Sequence, residues 1–549
     1  METVYALYLA ISRWVLPLLS CLLVFLWIRY FRLSRPPRQT VARFVTREGD
    51  PSNLYAQEGL IGRSKHCDIL LPLPTVEKRH AVVYQKKGNW WIASLGGEVW
   101  VNEEYIEEET ILLHGDMVAI AEQELMFECN DLEEEDVYSY RMPSGALSLI
   151  VLTVFQLVMG GQICLRFLDA LPTMLPICFG ALVVGQWIYF AATRLMHRPM
   201  LLAELPILYL VTLGTAVCAC ATPDVLLKQL FCIGVGVVGC LCLAFLLRYH
   251  EFCYGARYVF ALITVGVMAV TVVFGTRIYG ARNWLSIGSY SFQPSEFAKV
   301  ALLLVGGCCL YVSLTKWKNR WFFLFFCAAV MGTLVLMVDF GAIAIFFVTM
   351  LVILLMRMTD WRLVTAIGLG AVAAGTVVLL LYPHIADRFS VWTNVWQYAS
   401  STGYQQTRTM IAAASGGLLG VGGGNGTLLS VAAADTDLVF GVLCEEWGGI
   451  IALCAAMCFV ALGFYAVRLA RFAACGFYAT TVCGAAVMML FQTALNIFGS
   501  TDLLPLTGVT MMFVSRGGTS LIAAFLLLAF FKAAERPACG LETERRRYY

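Results

Sequence analysis

Four ionisable side chains between positions 275 and 299 are the residues of this sequence best suited to chemistry. Arg277 and Arg282 lie in a short polar segment, and Glu296 and Lys299 open the apolar segment that follows. Ionisable groups beside or inside apolar segments are costly, so they indicate a function by default. Two guanidinium groups suit the binding of a pyrophosphate. Glu296 and Lys299 stand three positions apart and suit an ion pair on one helical turn, either in a catalytic site or as a structural tie.

The composition is that of a membrane protein with room for one soluble module. Of the 549 residues, 60% are hydrophobic and 14% are charged, and the formal net charge is +1. This charge balance excludes a generally basic surface, so we expect no nucleic-acid partner. Most of the 20 cysteines fall singly or in pairs inside apolar runs, and the six histidines show no zinc-binding spacing. The sequence therefore predicts no protein-built metal site.

Thirteen apolar segments are near the length that crosses a bilayer. They are residues 5–30, 145–168, 172–194, 200–219, 226–248, 257–274, 296–314, 320–338, 340–357, 363–383, 438–468, 475–498 and 516–533. The first is too long for a signal-peptide core, so we interpret it as a retained anchor. Basic residues follow it and cluster after alternate later spans. By the positive-inside rule, the N-terminus of this multi-pass plasma-membrane protein lies outside and its C-terminus in the cytoplasm.

Between the first two spans, residues 40–140 become polar and acidic. Short alternating strands are predicted around 81–84, 90–93 and 99–102, with turns about every ten residues, which is typical of a small β-sandwich. The predicted fold class is a polytopic α-helical membrane protein with about 13 spans and a small cytoplasmic β-sandwich. The predicted domains are an anchor at 1–34, the sandwich at 40–130, a hairpin at 144–195, ten further spans at 198–535 and a cytoplasmic tail at 536–549.

The sandwich region resembles a forkhead-associated (FHA) domain, a family that binds phosphothreonine peptides. The matching motifs are Leu60-Ile61-Gly62-Arg63-Ser64, Asp68-Ile69-Leu70-Leu71, Val76 with His80-Ala81, and His114-Gly115-Asp116-Met117-Val118. The resemblance implies a phosphoprotein partner bound by Arg63, Lys78 and His80, with His80 in the family's structural histidine position. This chain has Glu77-Lys78 where the family has Ser-Arg, and Gly97-Glu98-Val99 where it has Asn-Gly-Thr. A docking module without phosphate chemistry is therefore the alternative, since a nearby carboxylate repels phosphate.

The apolar part resembles the SEDS family (shape, elongation, division and sporulation; the FtsW/RodA/SpoVE type), bacterial membrane proteins that handle lipid-linked peptidoglycan precursor. The matching motifs are the 275–299 segment, Val338-Asp339-Phe340-Gly341, Gly403-Tyr404-Gln405-Gln406, Thr436-Asp437-Leu438-Val439-Phe440, Glu445-Glu446-Trp447-Gly448 and Leu504-Pro505-Leu506-Thr507-Gly508. They stand in the family's order, and the resemblance implies that the spans at 198–535 form the family's ten-helix core, with the hairpin at 144–195 as an addition. The outer loops that carry them are 275–295, 384–437 and 499–515.

The resemblance implies a peptidoglycan glycosyltransferase that polymerises lipid II beside a class B penicillin-binding protein, in cell division or cell shape. Such an enzyme must deprotonate a sugar hydroxyl and stabilise a departing pyrophosphate, so it needs a carboxylate near cations or near a bound divalent cation. The substrate pocket that the resemblance implies comprises Arg277, Arg282, Trp284, Gln293, Glu296, Lys299, Asp339, Gln405, Asp437 and Glu445.

The chain departs from the family at the catalytic carboxylate. An aspartate precedes Gly-Tyr-Gln in the family, whereas this chain has Tyr398 there. A tyrosine with an ordinary pKa of about 10 is a poor general base at neutral pH. Asp387 and Asp437 are the candidates to replace it. Three hypotheses stay open: a polymerase, a carrier that binds or moves the precursor without polymerising it, and a catalytically silent scaffold regulated through the FHA-like domain.

Overall fold

The computed structural model describes residues 2–34, 40–65, 67–86, 88–129, 145–168, 172–195, 201–278, 281–288, 290–310, 317–357, 361–381 and 388–535. Within these residues the chain forms a bundle of long apolar helices and a separate β-sandwich. The predicted combination of a polytopic helical bundle with a small β-sandwich is therefore confirmed. The tail at 536–549 lies outside the described residues.

The β-sandwich is built from two sheets, with strand orders β2-β1-β11-β10-β7-β8 and β4-β3-β5-β6-β9. The strands are β1 Ala42–Thr46, β2 Pro51–Leu54, β3 Glu58–Gly62, β4 Ile69–Leu70, β5 Ala81–Lys86, β6 Asn89–Ser94, β7 Val99–Val101, β8 Glu104–Tyr105, β9 Glu109–Leu112, β10 Met117–Ile120 and β11 Gln123–Glu128. Alternate side chains face inward, as period-two strands require. Phe44 and Trp90 pack on Phe127, with ring centroids 5.1 and 5.7 Å away, so the two sheets share one aromatic core.

The helical bundle follows the predicted spans closely. Its helices are α1 Glu2–Leu33, α2 Ala146–Arg166, α3 Met174–Leu195, α4 Glu204–Ala221, α5 Leu226–Leu246, α6 His250–Phe274, α7 Pro294–Leu310, α8 Trp317–Met337, α9 Phe340–Arg357, α10 Trp361–Leu381, α11 Tyr404–Gly416, α12 Val439–Trp447, α13 Gly449–Arg471, α14 Gly476–Ser500 and α15 Gly518–Ala534. Ten of the described helices are long and apolar enough to cross a membrane. Three further apolar helices, α7, α10 and α15, coincide with the other three predicted spans.

The two ends of the bundle carry different parts of the chain. Helix α14 begins beside the β-sandwich, where the Gly476 amide donates a hydrogen bond to Glu58. It ends at Ser500, next to the loop at 501–517. We call the end beside the sandwich the proximal end and the opposite end the distal end.

Helix α1 is packed into the bundle along its length. Tyr5 accepts a 2.7 Å hydrogen bond from Asn425, and Arg13 donates one of 2.7 Å to the Gly420 carbonyl. Near its other end, the Trp27 indole donates a 2.7 Å bond to the Leu202 carbonyl. The glycine-rich segment at 420–426 thus serves as a packing surface for the anchor.

The predicted single span at 438–468 is wrong, because the chain breaks at Gly448 between α12 and α13. Gly448 has a φ of 91°, in the left-handed region that favours glycine. The amides of Val421 and Gly422 donate 2.8 Å bonds to the carbonyls of Glu445 and Glu446. A crossing segment therefore satisfies the carbonyls that the interrupted helix leaves open.

Replacing Gly448 by alanine is expected to destabilise the bundle by about 2 kcal/mol or more. A Cβ atom at this position would lie 2.3 Å from the Leu418 carbonyl oxygen, and the positive φ adds backbone strain. The thermal unfolding midpoint of the purified protein measures the effect. Gly180→Ala is the matched control, since a Cβ there meets nothing within 4 Å. Equal midpoints for the two variants would contradict the assigned strain.

Candidate functional site

A three-stranded sheet at the distal end positions the two predicted arginines. Its strands are β12 Thr276–Ile278, β13 Ala281–Ile287 and β14 Tyr290–Phe292, in sequence order. Arg277 is exposed on β12. Arg282 is half-buried and donates a 3.2 Å bond from Nη1 to the Val272 carbonyl at the end of α6. Of the two guanidinium groups, that of Arg277 is thus the more accessible to an anion.

The same sheet holds Asp339 in place. The Asn283 amide on β13 donates a 2.9 Å bond to Oδ2 of Asp339, and the Ala342 amide donates a 3.1 Å bond to Oδ1. The carboxylate therefore stabilises the start of α9, where a helix favours negative charge. Asp339 is half-buried. Its position in the substrate pocket stays a prediction beside this structural function.

Glu296 and Lys299 form the expected ion pair inside the bundle. Lys299 Nζ lies 2.7 Å from Glu296 Oε1, and the lysine side chain is 2% exposed. The ammonium group also donates a 2.8 Å bond to Gln492 Oε1 on α14. Gln492 in turn donates a 2.9 Å bond to the Thr510 carbonyl. The pair is therefore the centre of a polar network that joins α7, α14 and the 501–517 loop.

Trp284 and Gln293 flank these groups. The Trp284 carbonyl accepts a 3.1 Å bond from the Thr276 hydroxyl, which joins β13 to β12. The Gln293 carbonyl accepts a 3.2 Å bond from the Glu296 amide at the start of α7. Both side chains are half-buried. The structure thus places them at the distal end, near the arginines of the sheet.

The segment at 432–437 is held in place from several sides. Gln405 Nε2 on α11 donates a 2.9 Å bond to the Ala432 carbonyl. Ser515 donates a 2.6 Å bond to the Thr436 carbonyl, and Arg516 Nε lies 2.5 Å from Asp435 Oδ2. Gln405, which the sequence places in the substrate pocket, therefore braces the segment that ends in Asp437.

Asp437 lies at the end of this braced segment, directly before α12. Asn496 on α14 donates a 2.9 Å bond to the Asp437 carbonyl oxygen, and this bond fixes the backbone position of Asp437. The Asp437 side chain approaches Gly508, where a Cβ would lie 3.3 Å from Oδ2. A glycine at 508 therefore leaves room in front of the carboxylate. Arg388 contacts the same loop, because its Nη1 donates a 3.0 Å bond to the Leu506 carbonyl.

The environment of Asp437 makes it a better proton acceptor than an ordinary surface aspartate. Burial raises the pKa of its carboxyl group, and this effect exceeds the lowering caused by the Thr436 hydroxyl and the positive charge of Arg388. Asp435 adds to the rise through like-charge repulsion. A base with a raised pKa beside a guanidinium group combines a proton acceptor with a stabiliser of negative charge.

Glu445 is directed into the protein. Its Oε1 accepts 2.9 Å bonds from the Thr427 amide and hydroxyl, and its Oε2 accepts a 2.9 Å bond from the Leu428 amide. The residue is 3% exposed. The structure thus gives Glu445 the function of ordering the turn at 427–428, and its predicted place in the substrate pocket stays a prediction.

Tyr398 lies on the distal surface, 40% exposed, in a short 3-10 helix at Val395–Tyr398. Its carbonyl accepts 3.0 Å bonds from the Ser401 and Gly403 amides, which fold the loop before α11. Asp387, the other candidate for the missing carboxylate, lies outside the described residues. Asp437 is therefore the candidate base whose surroundings the structure describes.

The predicted phosphate-binding edge of the sandwich is assembled from two loops. The Arg63 amide donates a 2.9 Å bond to the Glu77 carbonyl, and the Ser64 amide donates a 3.1 Å bond to the Lys78 carbonyl. The side chains of Arg63 and Lys78 are exposed, and that of Glu77 is exposed beside them. The structure therefore brings the two predicted cations to one edge together with the unexpected carboxylate.

His80 supports this edge from inside. It is 3% exposed, its Nδ1 accepts a 3.2 Å bond from the Glu77 amide, and its Nε2 lies 2.8 Å from the Glu98 carbonyl. Because Nδ1 accepts, the neutral ring carries its proton on Nε2 and donates to Glu98. The structure therefore does not support direct contact of His80 with a phosphopeptide. It supports the predicted structural function of His80.

Four polar residues of the site were not assigned to it from the sequence. They are Asn283, Arg388, Gln492 and Asn496. Each is a polar or charged residue in or beside an apolar segment, and this pattern is the signal that could have identified them. Among the described residues, no group of three or more histidine, cysteine or acidic side chains could hold a metal ion.

Comparison with known proteins identifies the two parts of the chain. The family profile described as "Cell cycle protein", FtsW/RodA/SpoVE, matches residues 173–537, and the FHA domain profile matches residues 59–121. A probable peptidoglycan glycosyltransferase FtsW of Alcanivorax borkumensis is 30% identical over 305 residues, which are 52% of this chain and 78% of that protein. The peptidoglycan glycosyltransferase RodA of Mycobacterium tuberculosis is 29% identical over 266 residues, covering 46% of this chain and 56% of RodA.

A solved structure gives the same result for the fold. A chain of a peptidoglycan synthase complex that coordinates polymerization and crosslinking superposes with a TM-score of 0.50 and 25% identity, over 63% of this chain and 97% of that chain. The helical bundle, the order of the motifs at its distal end and the family profile all indicate the same family. The protein is a multi-pass bacterial membrane protein of the FtsW/RodA/SpoVE (SEDS) family that carries an FHA domain.

Proposed function

We propose that this protein is a peptidoglycan glycosyltransferase that polymerises lipid II at the distal end of its bundle. The observation that carries the proposal is the placement of Asp437. Its carboxylate faces the space left by Gly508, close to the charge of Arg388, on a segment braced by Asn496. The matched relatives are named peptidoglycan glycosyltransferases, which supports the same activity here.

The proposed reaction needs one proton acceptor and one site for negative charge. Asp437 takes the proton from the hydroxyl group of the acceptor sugar. The oxygen of that hydroxyl group attacks the anomeric carbon of the donor sugar. The bond between that carbon and the pyrophosphate oxygen breaks, and the lipid pyrophosphate leaves with the electron pair. Arg388 and the exposed Arg277 supply positive charge for the leaving group.

The sequence leaves open a divalent cation at the pyrophosphate. Among the described residues, no group of histidine, cysteine or acidic side chains could hold a metal ion by itself. Any such ion would be bound mainly by the phosphate oxygens of the substrate. Polymerisation that is equal with magnesium and with a chelator would exclude this requirement.

We further propose that the distal end faces the outside of the cell. The N-terminal end of α1 lies beside Asn425 at the distal end, whereas Arg468 contacts the Phe31 carbonyl at the other end of α1. Arg357 lies at the proximal end, beside the sandwich. Basic residues at the proximal end support a cytoplasmic position for the FHA domain and the C-terminus. Labelling of cysteines placed at positions 4 and 107 from either side of the membrane tests this orientation.

A class B penicillin-binding protein is the partner that we propose. The similar solved chain belongs to a complex that couples polymerization to crosslinking. A polymerase of this kind gains from such a partner because the glycan strand must be crosslinked after it forms. Co-purification of the full chain with the candidate partner from native membranes tests this assignment.

The second candidate function is that of a carrier for the lipid-linked precursor. It is favoured by the exposed Tyr398 at the position of the family's aspartate. A carrier would keep the anion-binding residues and would not need a base. A catalytically silent scaffold regulated through the FHA domain is the third hypothesis. A scaffold would need neither the anion-binding residues nor a base.

Lipid II polymerisation by the purified protein separates these functions. We expect glycan polymer from the wild type, with and without the penicillin-binding partner. Tyr398→Asp serves as the comparison, because it restores the family's carboxylate. Lipid II that is bound but not polymerised by the wild type, together with polymer from Tyr398→Asp, would establish the carrier instead. Absence of lipid II binding in both proteins would leave the scaffold.

We propose that the FHA domain binds a phosphothreonine protein through Arg63. Arg63→Ala is expected to lower the affinity for a phosphothreonine peptide at least about tenfold, because a charge-assisted bond to phosphate is lost. Titration of a fluorescent phosphopeptide into the full chain measures the affinity. Arg47→Ala is the control. Arg47 lies in the turn between β1 and β2, its side chain is 74% exposed, and it pairs with Glu124. Equal affinities for all three proteins would show a docking module without phosphate recognition.

A further inference from the structure

The FHA domain contacts the proximal end of the bundle through a largely shielded carboxylate. Glu58, the first residue of β3, lies 3.2 Å from Arg357 Nη2 at the end of α9. Its Oε2 also accepts a 3.1 Å bond from the Gly476 amide at the start of α14. The side chains of Glu58 and Arg357 are 14% and 18% exposed, so the contact is largely shielded from water.

Neighbouring backbone groups complete this attachment. The Gln57 amide donates a 2.6 Å bond to the Ala474 carbonyl in the turn before α14. Arg357 Nε donates a 3.1 Å bond to the Leu310 carbonyl at the end of α7. Helices α9 and α14 therefore bond directly to the start of β3, and α7 holds the Arg357 side chain in place.

The absence of a side chain at Gly476 allows this approach. A Cβ atom there would lie 2.2 Å from Arg357 Nη2 and 2.4 Å from Glu58 Oε2. Both atoms are the ends of flexible side chains, so an alanine would displace the ion pair and leave the helix intact. Alanine also has the higher helix propensity.

The attachment leaves the phosphate-binding edge uncovered. Strand β3 runs from Glu58 at the attachment to Gly62, which precedes Arg63 at the predicted edge. At about 3.3 Å per residue, the two ends lie roughly 13 Å apart. Arg63 and Lys78 are exposed while Glu58 is held on the bundle.

Helix α14 connects the attachment with the distal site. It begins at Gly476 and, twenty residues later, Asn496 donates bonds of 2.9 Å to the Asp437 carbonyl and 2.7 Å to the Val509 carbonyl. At about 1.5 Å per residue, this distance is roughly 30 Å. Between these points Gln492 binds Lys299. One continuous helix thus contacts the FHA domain, the buried ion pair and the backbone of the candidate base.

We propose that Glu58, Arg357 and Gly476 form a docking site that holds the FHA domain on α14, and that docking sets the position of the Asp437 segment through this helix. The docking partner is the bundle of the same chain, and the uncovered edge remains available to a phosphorylated protein. The second part of the proposal rests on the proposed function of Asp437. The first part does not.

Hydrogen exchange of the full-length protein in nanodiscs tests docking directly. The amides of Gln57 and Gly476 are bonded across the contact. In Glu58→Gln and in Gly476→Ala we expect both to exchange about tenfold faster or more, as loss of about 1.4 kcal/mol requires. Glu107→Gln is the matched control, because Glu107 is an exposed carboxylate of the same domain. Unchanged exchange at both amides in both variants would overturn the docking site.

The coupling is tested in the same samples. We expect exchange at the Asp437 amide, which is bonded to the Ala433 carbonyl, to change at least threefold in Glu58→Gln and Gly476→Ala, and lipid II polymerisation to change with it. Faster exchange at Gln57 and Gly476 without any change at Asp437 would overturn the coupling and keep the docking site. A wild type without polymerase activity would overturn the proposed function and with it any effect of docking on polymerisation, whereas exchange at Gln57 and Gly476 would still decide the docking site.

Discussion

Replacing Asp437 by asparagine is expected to lower the rate of lipid II polymerisation at least about 100-fold, because an amide cannot accept the proton of the sugar hydroxyl. The change keeps the size of the side chain, and the bond from Asn496 goes to the main-chain carbonyl. The fold of the 432–437 segment should therefore persist. Gel analysis of glycan products from radiolabelled or fluorescent lipid II measures the rate.

Asp224→Asn is the matched control for this experiment. Asp224 is an exposed carboxylate in the short 3-10 helix at Pro223–Val225 after α4. Its amide substitution should leave polymerisation unchanged. If Asp437→Asn retains the wild-type rate, the base lies elsewhere, and Asp387 is then the next residue to replace.

The pH dependence of the rate gives an independent test of Asp437. Burial raises the pKa of this carboxyl above the ordinary aspartate value of about 3.9. Since the base must be ionised, the rate should rise with pH through this raised pKa and fall as pH drops below it. Arg388→Gln removes a charge that lowers the pKa of Asp437, so the acidic limb should move to higher pH. A limb that stays fixed in Arg388→Gln would contradict the assignment.

Much of the fold follows from local patterns in the sequence. Apolar runs of bilayer length identified the spans because only helices satisfy their own backbone bonds in lipid. The three-residue spacing of Glu296 and Lys299 predicted a pair that the structure shows at 2.7 Å. The break at Gly448 was missed, since a glycine inside an apolar run does not by itself interrupt hydropathy.

The site depends on contacts that no local pattern specifies. Asn283 binds Asp339 from 56 positions away, and Asn496 binds the carbonyl of Asp437 from 59 positions away. Motifs identify which residue types are present but not where their side chains are directed. Glu445 illustrates this limit, because its family motif does not reveal that its carboxylate is bound to the 427–428 backbone.

Removal of the ammonium group in Lys299→Met is expected to destabilise the protein by about 3 to 5 kcal/mol, because it leaves the Glu296 carboxylate buried without its counter-charge. Glu296 is 6% exposed, and its Oε2 already has no hydrogen-bond partner among the described residues. The loss should appear as a lower midpoint in thermal unfolding and in denaturant titration of the purified protein. Lys318→Met, which removes an exposed lysine at the start of α8, should leave the midpoint near that of the wild type.

The double variant Glu296→Leu with Lys299→Met decides what the pair is for. Replacing both members by apolar groups removes the buried charge, so the unfolding midpoint should recover most of the loss seen in Lys299→Met alone. If the double variant also polymerises lipid II, the pair is a structural tie between α7 and α14. If it is stable but inactive, the network through Gln492 and Thr510 contributes to the distal site itself. A Lys299→Met variant as stable as the wild type would contradict a stabilising function of the pair.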